Sequence, residues 1–301
     1  MLKSLVMGVD IGGSHITAAV VDLKKRKVLK ETLIRRSVDS QSDVVSIISA
    51  WSSAISQSSL SAESAIEEIG IGMPGPFDYE DGICYIKDQQ KYDSLHGLNV
   101  KTLLSESLGI LPMKIRLMND ASCFLQGEAF GGAGLGFSAI SGLTLGTGLG
   151  SSFYCDGLAV DAGLWNSAFK DGIAEDYLST RWFLKKYKML TGENVQDVKT
   201  LSLLAEEQKQ AAEVFSEFGI NLGDFLNIVI SEQRPDAVIL GGNIAQSFPL
   251  FEKNLKSRIY QENNTIPILR GALGEEAAIV GAGSLWYPVD GKAPAESAER
   301  C

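Results

Sequence analysis

Cysteine and histidine are scarce in this 301-residue sequence, long apolar runs are absent and cations are in deficit, and each shortage removes a class of protein. The four cysteines, Cys84, Cys123, Cys155 and Cys301, are widely spaced, form no CxxC, and have no histidine near enough to complete a zinc-ligand pattern. They read as reduced thiols rather than a disulfide framework. No apolar stretch approaches the ~20 residues that a spanning helix needs, and the N-terminus lacks a charged segment followed by an apolar one. Neither a membrane nor an export route is expected, and the expected compartment is the cytoplasm. Lys and Arg number 27 against 37 Asp and Glu, and the resulting net charge of -10 would repel a polyphosphate backbone. Nucleic acid is therefore not an expected partner. The one basic run, KKRK at 24–27, lies between strand-like segments and reads as a solvated hairpin tip.

Two familiar nucleotide signatures are also missing. No GxxxxGK followed by Ser or Thr occurs. GTGLGS at 146–151 approaches GxGxxG, but SFYC continues it as strand where a crossover helix would be required.

What is present is apolar material for real cores, 45% of the residues, arranged in alternating elements. Leu5 to Val9, ITAAVVDL and KVLKETLIRRSV read as three strands of an antiparallel meander. A helix is expected over 42–57, then a strand in IEEIGIGM running into a Pro/Gly loop. KIRLMN reads as a further strand, and Asp120 opens a helix in which Ala121, Phe124, Leu125 and Ala129 share a face. After a break at Gly131 to Gly136, ISGLTLGTGLGSSFYCDG repeats the design of the opening stretch, strand, glycine turn, strand. Such an echo points to two related lobes. Residues 211–232 carry Val214, Phe218, Leu222, Phe225, Leu226 and Val229 at the spacing of a long amphipathic helix ended by Pro235. AVILGGN reads as a buried strand emptying into a third glycine turn. GEEAAIVGAGSL reads as a helix with two Glu in its first turn, where the dipole favours them, and the tail from Pro288 as frayed.

A glycine turn between strands can present backbone N–H groups to an anion, because no side chain blocks the approach. Asp10 ends the strand before VDIGGSH. A carboxylate beside bound phosphate is repulsive unless a cation stands between them, which favours Mg2+ held partly through water. The plainer alternative is that DIGG is only a tight hairpin.

GVDIGGSH, GIGMPGPFD, NDASCFLQGE, LTLGTGLGSSFYCDG, VILGGNIAQ and ALGEEAAIVGAG, in this order, together resemble the ROK family, whose kinases are sugar kinases of the actin-like ATPase superfamily. The resemblance runs from about residue 5 to 285. It implies a two-lobed α/β fold of the actin-like ATPase (ribonuclease H-like) type, each lobe a mixed sheet flanked by helices, with a cleft between. The smaller lobe is expected over residues 1–118 with the C-terminal helix at about 284–301, the larger over 119–283. It also implies ATP and Mg2+, a sugar substrate and a homodimer. Asp10, Gly12, Gly13 and Ser14 would form the first phosphate loop, Gly146, Thr147 and Gly148 the second, and Gly241, Gly242 and Asn243 would lie beside the adenosine. Ser14 stands where the family more often has Thr, and His15 where it often has Lys.

Phosphoryl transfer to an alcohol needs a proton acceptor in line with the γ-phosphate. The resemblance gives that role to Asp120, for which the residue pattern alone also allows simple helix capping. Gly75, Asn119, Asp120, Asn166 and Glu175 would contact the sugar. The family's Glu-x-Gly-His segment and cysteine-rich zinc loop have no counterpart in DAGLWNSAFKDGIAEDYLST. Asn166 stands where the His is expected, Glu175 matches a later Glu, and no zinc is expected. Trp165 could stack on a sugar or belong to the core. The expected function is transfer of the γ-phosphoryl group of ATP to a hydroxyl, the 6-OH, of a hexose or amino sugar. The alternatives are a sugar- and nucleotide-binding sensor with little phosphotransfer, and a sugar-responsive regulator. The regulator is disfavoured because the first glycine loop begins by residue 8, leaving no room for a preceding DNA-binding domain.

Overall fold

A computed structural model of the chain describes residues 4–62, 66–260 and 265–288. The chain forms two compact units, one of Met1–Leu135, Asp156–Val160 and Glu275–Cys301, the other of Gly136–Cys155 and Asp161–Gly274.

In the first unit β1 (Leu5–Ile11) and β2 (His15–Asp22) pair antiparallel. The basic run forms the turn into β3 (Lys27–Val28), which returns along β2 as expected. The expected third strand is interrupted, because a 3-10 turn at Lys30–Thr32 separates β3 from β4 (Ile34–Ser37), and both pair with β2. The cause is the buried Thr32, whose Oγ1 accepts from Val20 N–H at 2.8 Å and donates to Leu29 O at 2.7 Å, replacing a strand-to-strand bond. α1 (Val44–Leu60) is capped by Asp43, whose carboxylate accepts from Ser46 N–H. Its Ile47, Ile48, Trp51, Ala54 and Ile55 recur at helical spacing and are buried.

The chain continues through β5 (Ile69–Met73), the short hairpin β6 (Phe77–Asp78) and β7 (Ile83–Cys84), α2 (Val100–Leu108), β8 (Ile115–Asn119) and α3 (Asp120–Gly131). The sheet runs β3-β2-β1-β5-β8, with β1, β5 and β8 parallel. α3 is not the one-faced helix its apolar spacing predicts, since every residue from Leu125 to Phe130 is buried.

The second unit opens with β9 (Ile140–Leu145) and β10 (Leu149–Cys155), antiparallel like β1 and β2. After β11 (Leu158–Asp161), whose residues up to Val160 count with the first unit, come the hairpin β12 (Ala168–Phe169) and β13 (Gly172–Ile173), α4 (Ala174–Tyr177), α5 (Thr180–Thr191), α6 (Val198–Leu204) and α7 (Lys209–Gln233). β14 (Ala237–Gly241), α8 (Phe248–Arg258) and β15 (Ile268–Arg270) complete it, with β10-β9-β14-β15 in sheet order. The six apolar residues expected on the inner face of α7 are all buried. Phe218 packs on Phe183 at 4.5 Å and on Phe251 at 5.1 Å between ring centres; truncating such a side chain to Ala costs about 3–5 kcal/mol. The helix ends at Arg234, in the left-handed region at φ 48°, just before Pro235.

The last described helix, α9 (Ala277–Ser284), belongs to the first unit. Glu275 and Glu276 lie in a 3-10 turn ahead of it rather than in its first α-helical turn. A Cβ on Gly70 of β5 would fall 1.8 Å from Ala282 O, and one on Gly127 of α3 would fall 2.0 Å from Ala277 O. Glycine is thus required where α9 touches sheet and helix backbone to backbone. This docking ties α3 to the first unit, which therefore extends to Leu135 rather than to 118. Residues 289–301, which hold most of the expected 284–301 helix and of the frayed tail, lie outside the described residues. Cys84 and Cys123 are buried free thiols, whereas Cys155 is disulfide-bonded and departs from the expected set of thiols. Among the described residues no helix is long and apolar enough to cross a membrane.

Candidate functional site

The β1–β2 register ends at Ile11 opposite Ile16 and leaves Gly12, Gly13 and Ser14 as a turn. Gly12 N–H donates to His15 O at 2.9 Å, and Ser14 O accepts from Val38 N–H at 2.9 Å. Gly13 and Ser14 are exposed, and among the described residues no acceptor is recorded for either N–H, the condition an anion-binding turn requires. Tyr92 hydroxyl donates to Gly12 O at 2.6 Å. Burial pushes its pKa up to about 12, so it stays a donor, and its ring meets Trp51 of α1 edge-on at 5.2 Å. Nothing in the sequence signals this contact, which joins residues 80 positions apart.

Asp10 and Asp120 lie at the C-terminal ends of the parallel strands, the usual place for ligands in open α/β sheets. Burial, followed by the negative charge of Asp120, raises the Asp10 carboxyl to about 6, while Arg35 opposes the rise. Two mutually repelling carboxylates suit a hard, hydrated cation that needs only one or two protein oxygens. Among the described residues no group of three or more His, Cys, Asp or Glu could hold a metal, so a site built from protein ligands alone does not fit.

The capping role at α3 belongs to Asn119, whose Oδ1 accepts from Ser122 N–H at 3.1 Å, and Asp120 is the first helical residue. Asn119 Nδ2 donates to Tyr79 hydroxyl at 3.3 Å, and that hydroxyl donates to Met73 O at 3.1 Å. A Cβ on Gly75 would stand 3.1 Å from the same hydroxyl. Gly75 and Asn119 thus both adjoin the hydroxyl of Tyr79, a residue absent from the sequence-derived set, and Asp120 follows Asn119 in the chain.

In the second unit Gly146, Thr147 and Gly148 form the β9–β10 turn. Gly146 N–H donates to Gly148 O, while Thr180 donates to Gly146 O through both N–H (2.8 Å) and Oγ1 (2.9 Å). Glu175 Oε2 accepts from Leu149 N–H at 3.0 Å, and its other oxygen pairs with Arg181. A Cβ on Gly148 would land 2.6 Å from Glu175 Oε2. Glycine there makes room for the carboxylate that braces the turn. Gly242, at φ 82°, follows β14 and presses on Leu145 O, so the third turn adjoins the second, with Asn243 exposed. Asn166 is exposed on the 3-10 turn Leu164–Asn166, which Leu164 N–H fastens to Ser151 Oγ at 2.8 Å. Trp165 is 48% exposed, which removes it from the core.

Two α/β units, each opening on an antiparallel strand pair joined by a glycine turn, have the mixed sheets and flanking helices of the actin-like ATPase class. The chain belongs to the ROK family, whose model matches residues 6–163 and 170–288. The gap between the two matched stretches, residues 164–169, falls within the segment that lacks the zinc cysteines. Over 93% of its length the chain is 24% identical to the N-acetyl-D-glucosamine kinase of Haemophilus influenzae, covering 98% of that protein. It is 32% identical to the glucokinase of Thermotoga maritima over 52% of its length and 46% of that enzyme. The crystal structure of a ROK family glucokinase from Streptomyces griseus in complex with glucose and AMPPNP superposes with a TM-score of 0.74 at 23% identity, covering 93% of this chain and 98% of that one.

Proposed function

We propose that the protein is an ATP-dependent sugar kinase that transfers the γ-phosphoryl group to a hydroxyl, the 6-OH, of a hexose or amino sugar. The observation that carries this reading is that Gly75 and Asn119 adjoin the Tyr79 hydroxyl while Asn119, not its neighbour Asp120, caps α3. The relatives named kinases of glucose and N-acetylglucosamine support the substrate class.

Asp120 takes the proton of the acceptor hydroxyl as the oxygen forms its bond to the γ-phosphorus and the bond from that phosphorus to the ADP oxygen breaks. Gly75, Asn119 and Asn166 orient the sugar hydroxyls. Backbone N–H groups of the turns at Gly12–Ser14 and Gly146–Gly148 that are not engaged within the turns receive the phosphates, and Gly241, Gly242 and Asn243 adjoin the adenosine. Asp10 would hold Mg2+, which when bound would neutralise phosphate charge. Glu175 enters as a brace of the second turn rather than as a sugar ligand, because both of its oxygens are already engaged.

A coupled assay for ADP release over glucose, mannose, fructose, allose, N-acetylglucosamine and N-acetylmannosamine tests the reading. Turnover on at least one sugar is expected. ATP binding without turnover on any of them would overturn it in favour of a sensor.

A further inference from the structure

The first glycine turn carries exposed N–H groups and stands beside two carboxylates, so a polyphosphate placed there meets a net negative field unless a cation is supplied. The turn's own basic residue, His15, does not supply one. Burial and the Arg35 charge lower its pKa, which disfavours the charged ring. Arg35 is itself paired with Glu275, Nη1 to Oε2 at 3.2 Å. Lys91 has neither a hydrogen bond nor an ion pair for its ammonium among the described residues.

The chain takes trouble to place Lys91. Asp88, Gln90 and Tyr92, at alternate positions around it, have φ of 57°, 58° and 57°. A non-glycine residue in this region is strained by ~1–3 kcal/mol, and such strain concentrates at ligand clamps. The segment is tied on both sides of Lys91: Gln41 Nε2 donates to Gln90 O at 3.2 Å, Tyr92 N–H donates to Ser40 O at 2.7 Å, and Tyr92 hydroxyl donates to Gly12 O at 2.6 Å. The result sets Lys91 Cδ 3.8 Å from where a Cβ on Gly13 would stand, with the ammonium two bonds beyond.

We propose that Lys91 is the cation of the first glycine turn, its ammonium contacting the terminal phosphate of a nucleotide held on Gly12–Ser14. The proposal rests on the nucleotide-binding part of the function proposed above. Lysine serves as a compact point charge on phosphate, and the charge it meets grows as the phosphoryl group leaves ADP.

The test is titration calorimetry of the full chain with Mg·ATP and with Mg·ADP, beside kcat and KM on the best sugar. Lys91→Ala should weaken ATP about tenfold or more, change ADP far less, and lower kcat by roughly 100-fold, the loss typical of one charge-stabilising donor. Lys91→Arg should recover most of the ATP affinity, and the thermal midpoint of both variants should match the parent. Three results would overturn the proposal: unchanged ATP binding and kcat, equal loss of ATP and ADP together with a lowered midpoint, or a change confined to the KM for sugar. Should the parent chain bind ATP yet turn over no sugar, the kinase reading fails, while the ratio of ATP to ADP affinity in Lys91→Ala still decides the role of Lys91.

Discussion

Gly12–Ser14 and Gly146–Gly148 join antiparallel strands in the same manner, yet they are held by opposite chemistry. The first is gripped from a distant loop by a neutral tyrosine hydroxyl and stands among carboxylates, one of them raised to about 6. The second is braced by the ion-paired Glu175 and by Thr180, both supplied by the α4–α5 junction some 30 residues on. The lesson is that a repeated strand-turn-strand shape does not imply repeated support. The first turn is anchored by an uncharged hydroxyl, whereas the second is braced by a salt-bridged carboxylate.

The sharpest way to break the comparison is Asp120→Asn, which removes the proposed proton acceptor from the first unit and leaves both turns intact. Turnover should fall by about 100- to 10,000-fold, with nucleotide affinity within a few-fold of the parent by calorimetry; a large residual rate would remove Asp120 from the role of base. Next in size is the pair Gly148→Ala and Gly13→Ala. The first drives a methyl into Glu175 Oε2 and should cost about 1–3 kcal/mol, read as a lowered thermal midpoint and a raised KM for ATP. The second meets nothing nearer than 3.8 Å and should leave stability within about 0.5 kcal/mol. Equal effects would erase the difference between the turns.

Asp10 separates stability from activity. Its folded pKa, about 6, exceeds the ordinary 3.8, so the folded chain binds the proton more tightly than the unfolded chain does. The stability it contributes is complete below about 3.8 and is lost as pH rises through about 6. Turnover should move the other way and fall below pH 6, because the Mg2+ role proposed for Asp10 needs the ionised carboxylate. Asp10→Asn should flatten the stability profile in that window and weaken the Mg2+ dependence of turnover, measured by thermal unfolding and by titration with the metal. The smallest effect expected is that of Tyr92→Phe, which leaves Gly12 O without its donor at a cost of about 1 kcal/mol. Its thermal midpoint should drop by a degree or two, with a modest rise in the KM for ATP.

Much of the frame was legible in the chain. Apolar alternation marked β1, β2, β9 and β10, helical spacing marked α1 and α7, and glycines after apolar runs marked all three turns. These signals are local, carried by residues within a few positions of one another. α3 was misread because its polar Gln126 and Glu128 are buried in the tertiary structure, where Gln126 bonds Gly157 O and Ala159 N–H. The uniform third strand failed at Thr32 because a side-chain hydroxyl competed with the sheet. Tyr79, Tyr92 and Lys91 escaped notice because none belongs to a local pattern.

By itself the sequence determined the alternation of strands and helices, the three glycine turns and the carboxylates Asp10 and Asp120 at strand ends, since propensity, periodicity and the absence of a Cβ act over a few residues. Only the tertiary structure decided what holds each turn, that Asn119 rather than Asp120 caps α3, that Glu175 braces Gly148, and that Lys91 comes to lie over Gly13. Those contacts arise from packing elements distant in the chain, and no spacing along it encodes which of them will touch.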